Sequence, residues 1–539
     1  VLTPRPYQLE DIKFSLQSDE ALVANEMGTG KTLTAVEVIR LSGVERVLII
    51  APLNTHDGWF STLKGQMPEA EVFVHPPGGK NTKLSKEWWA RVRARRSGVY
   101  IIGWEAFRGS PTKESSATRA ALIARHRALG MALPKRTINT DWKRFGQWDM
   151  VVADEVHRAC NRDSVTAKTL WTLVTKRKIA MSGTPAGNSV GGYWAVLHWL
   201  WPERYPYFWP WATEYCHVSL DPFAGKKVMG EKEEGGIVKD IPAYIRRTTA
   251  EVIKDLPEVI VRTIKVPLKG GDQLKAYKEL EEQAFTWLED QPLHTPLPVT
   301  QSMRLRQVAL GVPILVEKEV PDYMWKHPAT GELLTKEQID KLRKDYPRYF
   351  MKAQRVQVGT HVEHQVDFAP DAKSNKIDAL KDIITDIPED EPVLILTHSA
   401  RFVVPVVEQL NKMKVGLAVA WTGGTSHGGR TRIKADFGKR DKEGKLKPGT
   451  PRFIVAGIAA IGEGVDGLQH VCHYEVWLSQ HDNNLLNQQA AARVHRPGQK
   501  HPVQRWYIQS IGTVDVKVYT RLAGNRKQML AAYRKENPR

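Results

Sequence analysis

Short, uninterrupted apolar runs alternate with helical patterns in two separate parts of this chain. In the first part the runs cover residues 21–24, 47–51, 99–102 and 150–153. A Gly-rich turn and a helical pattern over 31–41 follow the first of them. Runs of four or five residues without polar alternation predict strands buried on both faces, which a sheet reaches when crossover helices cover both its sides. From about Ser374 the rhythm restarts, with a helix over 376–384, strands over 393–396 and 453–455, and a long helix from about Asn484 to His495. Residues 265–373 lack the alternation; they are more charged and are interrupted by Pro and Gly. The pattern predicts an α/β protein made of two doubly wound parallel-sheet lobes, 1–264 and 374–539, joined by an inserted helical region, 265–373.

Composition sharpens this reading. The 539 residues are 42% hydrophobic and 26% charged, with both signs mixed, which argues against a disordered or fibrous chain. No apolar run reaches the roughly 18 residues that cross a bilayer, and no secretory pattern opens the sequence. Cys160, Cys216 and Cys472 are far apart, so neither a disulfide framework nor a thiolate zinc site is expected. An intracellular protein, of the cytoplasm or nucleoid rather than the nucleus, is expected. Lys+Arg exceed Asp+Glu by 18, which suits a polyanionic partner. Three runs carry much of the excess. Residues 80–96 hold Lys80, Lys83, Lys86, Arg91, Arg93, Arg95 and Arg96 against Glu87, and the runs 113–144 and 430–447 are comparably basic. Together they suggest a track. The aromatic run from Tyr193 to Tyr215 reads as packing rather than base stacking.

The chemistry-bearing segments lie at the ends of the predicted strands. Asn25-Glu-Met-Gly-Thr-Gly-Lys-Thr32 sits between a strand and a helix, where Gly28, Thr29 and Gly30 can turn main-chain N–H groups onto phosphates. Lys31 would reach the β- and γ-phosphates and Thr32 would hold Mg²⁺. A second strand ends in Asp154 and Glu155; Asp154 is placed to bind Mg²⁺ and Glu155 to polarise an attacking water. Ser182-Gly-Thr-Pro185 follows another apolar segment and could relay nucleotide state. More than 300 residues downstream, Gln489, Arg493 and Arg496 are spaced i, i+4, i+7 on the predicted helix, which Pro497 must end. Two guanidinium groups there would stabilise developing γ-phosphate charge, supplied from the other lobe.

Taken in order, these segments resemble the SWI/SNF-like ATPases of helicase superfamily 2, over nearly the whole chain. Pro4-Arg-Pro-Tyr-Gln8 is similar to the family's adenine-sensing segment, with Gln8 as base contact. Residues 24–32 match motif I, with Asn25 in place of the usual Asp. Asp154-Glu-Val-His157 matches motif II and Met181–Asn188 motif III. Residues 50–53 with Trp59, and 102–105, resemble the following motifs, which implies nucleic-acid contacts at Asn54 and Trp104. Ile245-Arg-Arg-Thr248, Leu256-Pro257 and Leu305-Arg-Gln307 are more particular to this family. In the second lobe, His398-Ser399 resembles motif IV and Thr422-Gly-Gly-Thr-Ser426 the next contact, implying roles for His398, Thr422, Gly423 and Thr425 on nucleic acid. Gly462–Asp466 resembles motif V, with Gly464 and Asp466 toward the nucleotide, and Gln489–Gln499 motif VI in the Arg-Val-His-Arg form of the compact annealing helicases. Glu475-Val-Trp-Leu-Ser479 stands where the family has Asp-Trp-Asn-Pro, and inserts at about 108–147 and 311–370 depart from a minimal core.

The resemblance implies RecA-like lobes and an ATP- and Mg²⁺-dependent translocase on double-stranded or branched DNA, which remodels or reanneals DNA or displaces bound protein. Two alternatives remain open from sequence: a strand-separating DNA or RNA helicase, and a nucleotide-switched DNA clamp that does not move. A compact chain without visible chromatin-reading modules suits a bacterial or phage setting.

Overall fold

A computed structural model describes residues 2–77, 82–108, 142–221, 225–268, 271–283, 285–288, 291–294, 298–326, 332–335, 338–339, 354–462 and 467–533. The first lobe is built on a seven-stranded sheet. Its spatial order is Val72–Val74, Gly98–Gly103, Arg46–Ala51, Trp148–Asp154, Thr175–Met181, Glu20–Val23 and Tyr244–Ile245. All six pairings are parallel. The central strands are buried on both faces, as runs such as Leu48-Ile-Ile-Ala51 require. One face packs under Ile12, Val36, Ile39, Trp59 and Leu63. The other packs against a large aromatic cluster that includes Trp88, Trp104, Trp142, Trp148, Tyr193 and Trp199. The tryptophan-rich stretch forms helices Tyr193–Leu200 and Phe208–Tyr215, with Trp194, Trp199 and Trp211 buried, so packing is its role there.

The second sheet has six parallel strands, ordered Val259–Pro267, Val503–Ile511, Tyr474–Trp477, Val393–Thr397, Pro451–Gly457 and Leu417–Trp421. Leu380, Ile384, Val406 and Leu410 cover one face, and Trp421, Phe437, Ala490 and Val494 the other. This arrangement moves the expected boundary. Val259–Pro267 pairs over nine residues with Val503–Ile511, so the second lobe takes its edge strand from across the expected boundary at 264 rather than opening near 374. Nor is the intervening region mainly helical. Helices Asp272–Gln283 and Pro298–Leu310 pack together through Tyr277, Leu280, Leu305 and Val308. Beyond them Ile314–Lys326 and Gln354–Asp367 form a long antiparallel ribbon, irregular at Asp322/Tyr323, whose described outer side chains, such as Glu317 and Val358, are exposed. Residues 109–141, which carry most of the first insert and of the second basic run, lie outside the described residues, as do 327–331 and 340–353.

A set of charges fixes the helices to the second lobe. The Lys376 side chain is fully buried; its ammonium donates to Leu478 O at 2.6 Å and pairs with Asp515. Arg306 and Arg521 both pair with Asp482. Among the described residues no helix is long and apolar enough to cross a membrane.

Candidate nucleotide site between the lobes

The turn after Glu20–Val23 delivers the Gly-rich loop to the carboxyl edge of the first sheet. Gly28 (φ +84°) and Gly30 (φ +74°) occupy the left-handed region, where a side chain would be strained. Space is limiting as well. A Cβ on Gly30 would lie 2.4 Å from Gln8 Nε2, and one on Gly28 would lie 3.1 Å from Pro497 Cδ of the second lobe. Gly30 leads straight into helix Lys31–Leu41, so the helix N-terminus and Lys31 face the same spot. The Lys31 ammonium donates to the carbonyls of Asn25 (2.9 Å) and Glu26 (3.0 Å). Gln8 braces the loop, its Nε2 donating to Thr29 O and Gly30 O at 3.2 Å each, while Tyr7 donates to Thr29 O at 2.9 Å.

Asn25, the departure from the family pattern, is explained by Asp11. Both are buried, and the Asn25 amide donates to Asp11 Oδ2 at 2.6 Å, while Arg247 reaches Oδ1 at 3.1 Å. An aspartate at 25 would place a second carboxylate where the amide N–H₂ now stands.

Asp154 and Glu155 end the strand Trp148–Asp154, which the parallel pairing sets two strands from the loop, next to Thr175–Met181. Asp154 is buried; Trp59 Nε1 donates to its Oδ2 at 3.0 Å, and Trp104 Nε1 to its main-chain oxygen at 2.8 Å. Burial, with the neighbouring Glu155 charge, raises its carboxyl to about 6, against the Trp59 hydrogen bond and the Lys31 charge. Glu155 is a non-glycine residue at φ +52°, a strained conformation of the kind found at functional sites. Burial alone would raise its carboxyl, but His157, Lys31 and Arg493 outweigh burial and hold it low. His157 Nδ1 lies 3.2 Å from Glu155 Oε2 and 3.0 Å from Ser182 Oγ, so the acidic turn is tied to the Ser182–Pro185 segment.

The arginines come from the other lobe. Helix Asn484–Ala491 is capped by Asn483, whose side chain accepts from Leu485 N, and it ends earlier than the sequence pattern suggests. Arg493 N bonds Ala490 O at 3.0 Å, an i→i−3 closure, after which the chain turns through Pro497 and Gly498 (φ +97°). The helical spacing therefore holds from Gln489 to Arg493 and fails for Arg496, which stands in the turn. Arg493 Nε donates to Gln489 O at 3.1 Å and Nη2 to Gly462 O at 2.7 Å, and its charge acts on Glu155 across the cleft. Arg496 and Pro497 rest over Gly28. The site thus offers a glycine cradle, a helix N-terminus, cations from both lobes and hard oxygen donors at Thr32 and Asp154. That set fits a triphosphate with Mg²⁺.

The expected nucleic-acid contacts fare unevenly. Asn54 is exposed, and so is Gly423, which has open space around its Cα. Thr422 and Thr425 close a small turn on one another, Thr422 N to Thr425 Oγ1 at 3.0 Å and Thr425 N to Thr422 O at 3.1 Å. Trp104 must be corrected: it is 2% exposed, and its indole holds Asp154 from within the core, so it presents no surface to a strand. His398 is half-buried. Its Nδ1 meets Ser479 Oγ at 2.7 Å, and burial, with Arg306 and Lys376 near, keeps the ring neutral. Gly464 and Asp466 lie outside the described residues. The end of the first basic run lies away from the nucleotide site. Arg95 and Arg96 precede the amino end of Gly98–Gly103, whereas the Gly-rich loop follows the carboxyl end of Glu20–Val23, and in a parallel sheet these are opposite edges. Arg96 pairs there with Glu71 at 2.9 Å.

Trp59 as an orienting residue, and Asp11 as partner to Asn25, were not read from the sequence. Their contacts span 95 and 14 residues, and no local spacing signals either.

Comparison with known proteins gives the family. The SNF2-related domain matches residues 7–309, more than half of the chain. The chain belongs to the SNF2-related family. Protein CHROMATIN REMODELING 5 of Arabidopsis thaliana is 26% identical over 318 residues, covering 57% of this chain and 16% of that protein. DNA annealing helicase and endonuclease ZRANB3 of Mus musculus is 26% identical over 292 residues, covering 52% of this chain and 24% of that protein. The chain thus spans less than a quarter of the length of these relatives. A solved Sulfolobus solfataricus SWI2/SNF2 ATPase core in complex with dsDNA aligns with 98% of this chain and 92% of its own, at 17% identity and a TM-score of 0.35.

Proposed function

We propose that this protein is an ATP- and Mg²⁺-dependent motor that moves along duplex DNA, remodelling or reannealing it or displacing what is bound. The single observation that carries the reading is the composite site: Lys31, Asp154 and Glu155 from one lobe face Arg493 and the Arg496–Pro497 turn from the other. A site divided in this way makes hydrolysis depend on how the lobes sit, and so couples chemistry to movement.

Each residue has a part in this scheme. The loop N–H groups and Lys31 bind the triphosphate, and Gln8 reads the adenine from beside the loop. Thr32 and Asp154 would hold Mg²⁺, which when bound neutralises phosphate charge. Glu155, ionised at neutral pH, orients and accepts a proton from the attacking water. Arg493, with Arg496 beside it, stabilises charge on the departing γ-phosphate. Asn54, Thr422, Gly423 and Thr425 are the proposed strand contacts.

The test is ATP hydrolysis with and without saturating duplex DNA, followed by displacement of a triplex strand. Stimulation with ATP-dependent displacement is expected. Stimulation without displacement would favour a clamp, and preference for forks or RNA would favour a strand-separating helicase. Lys31→Ala should abolish hydrolysis, and Arg493→Ala should do so while nucleotide binding is largely kept.

A further inference from the structure

Among the described residues the chain crosses from the first lobe to the second through residues 246–258, between strands Tyr244–Ile245 and Val259–Pro267. Each end of this crossing is hydrogen-bonded to a different half of the nucleotide site. At the near end, Glu26 of the Gly-rich loop accepts from Arg246 (3.2 Å) through Oε1 and from Thr249 N (3.0 Å) through Oε2. Glu26 N donates to Arg247 O at 2.9 Å, and the Thr249 hydroxyl donates to Met27 O at 3.0 Å. At the far end, His495, inside the arginine turn, meets Pro257 O through Nε2 at 2.8 Å. A carbonyl only accepts, so that nitrogen carries the proton. The circuit closes where Pro497 and Arg496 rest over Gly28.

Loop, crossing segment and arginine turn therefore form a ring of contacts around the cleft, and the crossing segment is its covalent side. We propose that residues 246–257 act as a strap that sets the approach of the arginine turn to the Gly-rich loop, with Thr249 and His495 as positioning residues at its ends. The inference rests on the motor reading above. Physically, the strap transmits because both its ends are held: a shift of the loop moves Thr249, and the far end moves His495 and the turn with it. Releasing either end lets the lobes reorient without carrying Arg493 to the phosphates. DNA-driven acceleration should then suffer while nucleotide binding does not, since Thr249 Oγ1 is spent on Met27 O and His495 Nε2 on Pro257 O, and neither is among the groups assigned to the phosphates.

The experiment uses the full chain with Thr249→Val, His495→Phe, their combination, and His495→Gln, which keeps an N–H donor. Hydrolysis is measured with and without duplex DNA, alongside affinity for a fluorescent ADP analogue and the melting temperature. Thr249→Val and His495→Phe should each lower DNA-stimulated kcat by about 5- to 20-fold, with analogue affinity within about threefold of the parent. The double variant should fall well short of the product of the two singles, because both contacts act through one strap. His495→Gln should keep at least about half the stimulation. Effects that multiply in the double variant, normal stimulation in His495→Phe, or a His495→Gln as poor as His495→Phe would each overturn the strap. If His495→Phe fails to fold, Thr249→Val and His495→Gln decide the matter: unimpaired stimulation in Thr249→Val overturns the strap. A parent protein whose hydrolysis ignores DNA would instead overturn the motor reading.

Discussion

The indole N–H of Trp59 points at Oδ2 of Asp154 across 3.0 Å, so a donor from the helix beside the sheet fixes the orientation of this carboxylate. Trp59→Phe keeps the ring in the core and removes the donor. Partners of this kind typically change metal affinity by 10- to 100-fold. We expect the Mg²⁺ concentration for half-maximal hydrolysis to rise by about tenfold, with little change in melting temperature. An unaltered Mg²⁺ titration would show that the indole does not orient the carboxylate.

Acidity should tell the two carboxylates apart. The Asp154 carboxyl is raised to about 6 by burial with the adjoining Glu155 charge, whereas His157, Lys31 and Arg493 hold Glu155 below the ordinary range. A raised carboxyl favours the folded protein while it is protonated, so this contribution is full in acid and is lost as pH rises through about 6. Cation binding needs the ionised form and runs the other way. Mg²⁺ affinity measured by calorimetry should therefore weaken by close to tenfold per pH unit below about 6, with proton release on binding. A flat profile between pH 5 and 7 would contradict this.

Asn25→Asp brings the chain to the family pattern and should nonetheless weaken it. Two buried carboxylates would face each other where the amide now donates to Asp11 at 2.6 Å. A loss of about 2–3 kcal/mol is expected, easing as pH falls and one of the pair is protonated. Asp11→Asn in the same chain should restore the donor and most of the stability. Chemical denaturation of the two singles and the double measures the coupling.

The ammonium of Lys376, with no solvent exposure, depends on Asp515 and Leu478 O. Asp515→Leu leaves it buried without a counter-charge, at a cost of about 3–5 kcal/mol. Lys376→Met combined with Asp515→Leu should recover most of that loss. If the double variant is no more stable than Asp515→Leu alone, the pair is not the source of the effect.

Most of the two sheets could be read from the chain because strands such as Arg46–Ala51 and Val393–Thr397 are apolar throughout, and helix Lys31–Leu41 follows its glycine turn directly. The ribbon was less plain. Gln354–Asp367 does alternate at Val356 and Val358, but its partner strand mixes Glu317, Lys318 and Glu319 with Pro321, and such a run resembles a charged helix until the cross-strand partner is known. Strand Val259–Pro267 was hidden for a similar reason: among the described residues its partner begins at Val503, far beyond any local signal. At the site, loop and acidic turn declare themselves by residue type. The role of Trp104 turned on burial, which spacing does not encode, and the early end of helix Asn484–Ala491 turned on closure at Arg493.

The ribbon also has a mechanical reach. Its first strand is 13 residues long, about 43 Å at the usual rise per residue, and its base is anchored where Val366 packs with Leu305 and Val308. At that length, a 10° rotation of the body at its root would sweep the distal end through roughly 7 Å.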